Sequence, residues 1–123
     1  MILAAHQPQF APWLGYFDKL DRADVFVLLD NVQFKKNEWQ NRNRIKGPGG
    51  AQWLTVPVSF HFGDEIREVA IDSRHNWRRR HLSSLRTCYA KAPYFREVFA
   101  SYEAVLSRSW HTLCDLNVAI LEV

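Results

Sequence analysis

Met1-Ile2-Leu3-Ala4-Ala5-His6-Gln7-Pro8 opens the chain, and Ala23-Asp24-Val25-Phe26-Val27-Leu28-Leu29-Asp30 repeats its pattern after one intervening segment. Each is a short continuous apolar run, the pattern of a strand buried in a parallel sheet. The first run stops at Pro8, which has no amide hydrogen to give to a sheet. Between the runs, Pro12 suits the first turn of a helix. Trp13, Tyr16, Phe17 and Leu20 follow at i, i+3, i+4 and i+7, which predicts a helix over residues 13–22 with one apolar face. Strand, helix and strand in this order make a right-handed βαβ unit. In open parallel sheets, ligands bind beyond the carboxyl ends of the strands. His6 and Asp30 fall at two such ends and are the first candidate site residues.

Working outward, Trp39–Lys46 and Gln52–Ser59 flank Gly47-Pro48-Gly49-Gly50, the pattern of a β-hairpin. Alternation places Trp39, Asn41, Asn43 and Ile45 on one face and Gln40, Arg42, Arg44 and Lys46 on the other. Two arginines on one strand face form a clamp for phosphate or carboxylate; the ordinary alternative is an edge strand protected by charge. Glu65–Ile71 reads as a further strand. Asp72 or Ser73 would cap a helix reaching Ala90, with Trp77, Leu82, Leu85 and Tyr89 inward. Pro93 separates it from a helix over 94–107 whose face is Phe95, Val98, Phe99, Tyr102, Val105 and Leu106. A last helix starts near His111 and meets the chain end without a stop signal. The expected fold is α/β: an N-terminal βαβ unit with parallel strands, a β-hairpin extension and a C-terminal helical segment. Residues 1–123 are expected to form a single domain, the amino-terminal part of a longer chain.

The 123 residues are 47% apolar and 24% charged, a composition that excludes disorder. Cys88 and Cys114 have no zinc or redox spacing and read as reduced buried thiols. No run is long enough to span a membrane and no basic segment precedes Met1, so a cytoplasmic location is expected. The net charge of +3 is unevenly spread. Residues 35–46 carry +4 and residues 74–91 carry +6 with no acid, leaving −7 elsewhere. Such segregation either attracts phosphates or marks solvated faces, and for Arg78–Arg80 both readings stand. His75 and His81 are badly spaced for a metal pair and His61 and His111 are isolated, so no metal site is assigned.

Residues 6–19, His6-Gln7-Pro8-Gln9-Phe10-Ala11-Pro12-Trp13-Leu14-Gly15-Tyr16-Phe17-Asp18-Lys19, together with Ala23–Phe34, Trp39–Lys46, Leu54-Thr55-Val56-Pro57-Val58 and Ala92-Pro93-Tyr94-Phe95, are similar to the signature of the WbqC-like family. The resemblance runs in order through most of residues 2–110. It implies an enzyme of surface-polysaccharide or modified-sugar biosynthesis that transfers an aminoacyl group, glycyl in particular, to a nucleotide-linked amino sugar. The implied partners are that nucleotide-linked sugar and an acyl donor. The cofactor is left unknown, an oligomer is left open, and no catalytic assignment comes with the family.

Such a transfer needs a base for the acceptor ammonium, donors for the oxyanion and cations for phosphate. His6 is the candidate base; alternatively it bonds a backbone carbonyl. Asp30 either orients His6 or bonds the amides of Val32 or Gln33. Arg42 and Arg44 would hold diphosphate or the donor carboxylate, with Lys36 a further candidate, although Lys35 and Lys36 are of a kind more often simply solvated. Gln7, Gln33 and Asn41 would read sugar hydroxyls. Trp13, Tyr16 and Trp39 would line the sugar or base, although Trp13 and Tyr16 lie on the apolar helix face. Two other readings remain. One is a non-catalytic module binding nucleotide sugars or nucleic acid through its basic, aromatic segments, the nucleic-acid form being disfavoured by the acids elsewhere. The other is a nucleotidyltransferase-like enzyme, although Pro12–Tyr16 lacks both histidines of the H-x-G-H pattern.

Overall fold

The structure, a computed structural model, describes residues 1–123. β1 (Leu3–His6) and β2 (Val25–Leu28) pair in parallel, from Leu3 opposite Val25 to His6 opposite Leu28. The helix α1 (Leu14–Arg22) joins them. The carboxylate of Asp24 fixes the register by accepting from the amide of Ile2 at 2.6 Å. At the other end, Leu29 donates its amide to the carbonyl of His6 at 2.9 Å. The βαβ unit is therefore as expected, but the buried central strand is not. No third strand joins the sheet, and α1 covers one face, where Tyr16 packs 5.6 Å from Phe26. On the other face Leu3, Val25 and Val27 remain 65%, 44% and 40% exposed.

β3 (Arg42–Gly47) and β4 (Gly50–Thr55) form the antiparallel hairpin. Gly47 and Gly50 close it around Pro48-Gly49, and Gly50 has φ +122°, which a side chain would resist. The ladder starts at Arg42, so Trp39–Asn41 lie outside it and the alternation expected from Trp39 onward breaks. Val58–Ser59, expected in the hairpin, forms β5 and pairs with β6 (Ala70–Ile71). The strand expected over Glu65–Ile71 is mostly a 3₁₀ turn, Ile66–Glu68. Glu65 and Glu68 cap each other's backbone there, a local bond set that outcompetes strand pairing.

Three helices complete the chain: α2 (Trp77–Tyr89), α3 (Phe95–Leu106) and α4 (Leu113–Leu121). Asp72 does not cap α2 as expected. It holds Arg74 through two bonds, at 2.7 and 2.9 Å, and the helix begins after Asn76 with no side-chain cap. Thr112 does cap α4, accepting from the amide of Asp115 at 3.2 Å. α4 is the innermost helix and buries Leu113, Leu116, Ala119 and Ile120 against Phe34, Ile66, Val69 and Leu106, in a core that also takes in Phe10, Leu54, Val56 and Trp77. No helix is long and apolar enough to cross a membrane.

His81, on α2, stitches that helix to the hairpin. It is 3% exposed and its Nε2 donates to the carbonyl of Thr55 at 2.8 Å. Burial lowers its pKa, and the bond to Thr55 offsets this only in part. Below the ordinary histidine value of 6.5, the unfolded chain therefore takes up a proton that the folded chain declines. The stability His81 contributes is complete above that pH and is lost as pH falls below it. Urea titrations across this range should show a shallower acid loss in His81→Gln than in the parent. Phe10 has no exposed surface; Phe10→Ala should cost about 3–5 kcal/mol by the same titration at neutral pH.

Candidate functional site

His6 ends β1 with its ring against Tyr16, centroids 4.6 Å apart. The ammonium of Lys19 lies 3.4 Å from Nδ1 and is anchored by the carbonyl of Ala5 at 2.8 Å. The Lys19 ammonium and the Gln9 amide nitrogen, 3.3 Å from Nε2, can both only donate, and the neutral ring has one lone pair, so it can accept from only one of them. Burial lowers the pKa of His6, and the charge of Lys19 lowers it further. Both effects favour the neutral imidazole, whose Nδ1 faces a cation.

Asp30 does not meet it. No hydrogen bond joins the two side chains; the Asp30 carboxylate faces α4, 4.0 Å from the Sγ of Cys114. Nor does it bond the amides of Val32 or Gln33. Its backbone carbonyl accepts from the amide of Arg67 at 3.0 Å. Cys114 is buried, and burial, followed by the charges of Asp30 and Asp115, pushes its thiol up to about 11.

The arginine pair takes another form. Arg42 and Arg44 share a hairpin face with Trp53, which stands directly opposite Arg44. The Arg42 guanidinium lies 3.9 Å above the Trp53 ring and that of Arg44 lies 5.3 Å from it. Trp39 reaches the same face, 5.8 Å from Trp53 and 6.0 Å from Arg44. Arg42 also donates to the carbonyl of Asn37 at 2.6 Å. Both indoles remain accessible, at 42% and 43%. Exposed cation–π contacts stabilise by about 0.5–1 kcal/mol each, and here they hold two guanidinium groups in fixed orientation. This face has flat apolar surface and positive charge within one reach. Trp53 joins this face only through the cross-strand register, which alternation along one strand does not supply.

Several predicted contacts are structural instead. Tyr16 is buried under the βαβ unit and donates to the carbonyl of Gln7 at 2.9 Å; burial raises its phenol to about 12. Asn41 is 2% exposed and donates to the carbonyl of Val56 at 3.2 Å. Neither is open to a ligand. The carboxamide of Gln7 accepts from Gln40 at 2.8 Å. Gln33 is exposed and bridges Glu65 through its backbone, and Lys36 is exposed. Trp13, expected on the apolar face of α1, is 67% exposed, with its ring folded over Gly15. It borders an apolar cavity of about 540 Å³ lined also by Arg44, Tyr94 and Tyr102. No hydrogen bond or ring contact joins His6 to Arg42 or Arg44. The two are linked through neighbours, Gln7 holding Gln40 two residues before Arg42.

A family model described as the WbqC-like protein family matches residues 7–123, so the chain belongs to the WbqC-like family. It is similar to the protein called "Uncharacterized protein Rv1507c" of Mycobacterium tuberculosis (strain ATCC 25618 / H37Rv), 38% identical over 116 residues. That match covers 93% of this chain and 50% of the relative, so the chain spans about half the relative's length. No solved structure gives a significant match.

The charge of Lys19 is the part of the His6 environment that a single substitution removes. In Lys19→Met the pKa of His6 should rise yet stay below 6.5, because burial, the larger cause, persists. An NMR pH titration of the His6 ring protons reads this. An unmoved pKa would mean that the ammonium does not face Nδ1.

Proposed function

We propose that the protein takes part in modified-sugar and surface-polysaccharide biosynthesis, transferring an aminoacyl group of the glycyl type to the amine of a nucleotide-linked amino sugar. The observation that carries this reading is the exposed face of Trp39, Trp53, Arg42 and Arg44. Indole rings stack on bases and sugars, and paired guanidinium groups hold phosphates or a carboxylate. Membership of the WbqC-like family supports the same substrate class. The accessible tryptophans and arginines also suit single-stranded nucleic acid, but that binding would depend steeply on salt.

His6 is the base in this reading. An acceptor amine enters as an ammonium, and Nδ1 already faces one ammonium, that of Lys19. The acceptor would take that position and give up a proton to Nδ1. Its nitrogen then attacks the acyl carbon, the N–C bond forms, and the donor's leaving group departs with its electron pair and takes the second amine proton. A base with a lowered pKa is free of protons at neutral pH and ready to accept one. Asp30 has no part in orienting the ring; Lys19 and Gln9 flank it instead. Gln7 and Gln33 would offer carboxamides to sugar hydroxyls. The whole reaction belongs to the full-length protein.

Binding of nucleotide-linked amino sugars to the full-length protein, followed by thermal shift and calorimetry, tests the reading. Arg42→Ala or Arg44→Ala should weaken binding by roughly 1.5–3 kcal/mol per lost charged hydrogen bond. His6→Ala should abolish turnover and leave the fold intact. Unchanged affinity in both arginine variants removes the clamp, and a near-full rate in His6→Ala moves the base elsewhere. A loss of affinity by orders of magnitude between low and moderate salt would point to nucleic acid.

A further inference from the structure

Behind the arginine and tryptophan face lies a second basic feature, between the outer edge of β4 and the first turns of α2. It is a hollow of about 820 Å³, with Trp53, Thr55, His75, Arg79, Arg80 and His81 in its walls. None of the residues lining it is acidic. Most other arginines are occupied. Arg22, Arg67, Arg74 and Arg86 each hold a carboxylate, and Arg42, Arg44, Arg78 and Arg108 lie over rings. Arg79 and Arg80 have neither kind of partner and are exposed. Charge that the fold leaves uncompensated at a concave surface concentrates counter-ions there.

A further observation singles out this hollow. α2 opens onto it through Asn76 and Trp77, with no side-chain cap and no acid in the first turn. The amides and dipole of a 13-residue helix therefore add to the positive potential. His81 gives its Nε2 hydrogen to Thr55, and its shielded Nδ1 is an acceptor in the neutral ring, so His81 shapes the wall and does not hold an anion. Gln52, Ser83 and Ser84 add neutral polar groups to the same wall.

We propose that this cavity is a phosphate-binding site, built by Arg79, Arg80, His75 and the first turn of α2, and distinct from the hairpin arginine face. The ligand class is a phosphate or diphosphate group, free or as the ester of a small molecule. The two sites share Trp53 as a wall, so a ligand with a phosphate and a flat ring fits across both. The assignment assumes nothing about acyl transfer.

Inorganic pyrophosphate is the probe. It should bind the ¹⁵N-labelled protein saturably, moving the amides of Trp77, Arg78 and Arg79. In Arg79→Ala/Arg80→Ala the affinity should fall at least about tenfold, a loss of about 1.4 kcal/mol or more. Both side chains are exposed, so the double variant should keep the parent's melting midpoint. Arg96→Ala, on α3 and outside the lining of the hollow, should bind pyrophosphate as the parent does. Equal affinity in the Arg79/Arg80 variant, shifts centred on the hairpin, or a non-saturable response overturns the site. Pyrophosphate binding as described with no nucleotide-linked sugar bound at all leaves this site standing and removes the proposed function. Sugar-nucleotide binding lost only in the hairpin variants does the reverse.

Discussion

The side chain of Gln40 is the joint on which the arrangement depends. Its Oε1 accepts the amide of Lys35 at 3.2 Å and its Nε2 donates to Gln7 at 2.8 Å. Its backbone carbonyl receives the carboxamide of Asn117, in α4, at 2.9 Å. One buried residue thus ties the exit of β1, the loop before the hairpin and the central helix. Such bonds are worth about 0.5–1.5 kcal/mol each when made, and losing one partner strands a buried polar group at about 1–3 kcal/mol. The segment around Gln40 has no strand or helix of its own. Asn41 to Val56, and Asn43 to the carbonyl of Ala11 at 2.7 Å, continue the same device. Carboxamides do here what a sheet ladder does elsewhere, and they set where Trp39 and the arginines emerge.

That placement decides the electrostatic layout. The positive segments predicted from sequence, 35–46 and 74–91, come together across β4, which contributes Trp53 to both the arginine face and the α2 hollow. In the first, guanidinium groups are held on indole rings; in the second they stand free beside a helix start. The histidines divide likewise. His6 faces a cation through Nδ1, whereas His81 is committed to the backbone of β4.

The βαβ unit, the hairpin turn and the three later helices were legible, because each rests on local periodicity and on Pro and Gly at the turns. The burial of β1 and β2 was not. Continuous apolar composition marks strands covered on both sides, and here Leu3 and Val25 lack the second cover. The Glu65–Ile71 strand failed because a pair of reciprocal glutamate caps has no periodic signal. Of the site residues, Arg42 and Arg44 were found by alternation and do share a face. Trp39 reaches that face although alternation puts it on the other, because the strand starts three residues later; Trp53 lies opposite Arg44 through a cross-strand register that alternation along one strand does not give. Tyr16 and Asn41 were taken for ligand contacts because polar atoms look alike in sequence whether they meet a sugar or a carbonyl. Gln40, Asn117 and His81 illustrate the same blindness: partners far along the chain give their roles, and no local pattern encodes them.

The two cysteines finally differ in a way that has a practical side. Cys114 is sealed in α4 beside Asp30, with a thiol too weakly acidic to ionise near neutrality. Thiol reagents act on the thiolate. Cys88, only half-covered on α2, lies 3.9 Å from the carboxamide of Gln52 at the rim of the basic hollow. The wild-type chain therefore carries one addressable sulfur, and a fluorophore attached to it would sit beside the hollow with no engineered residue needed.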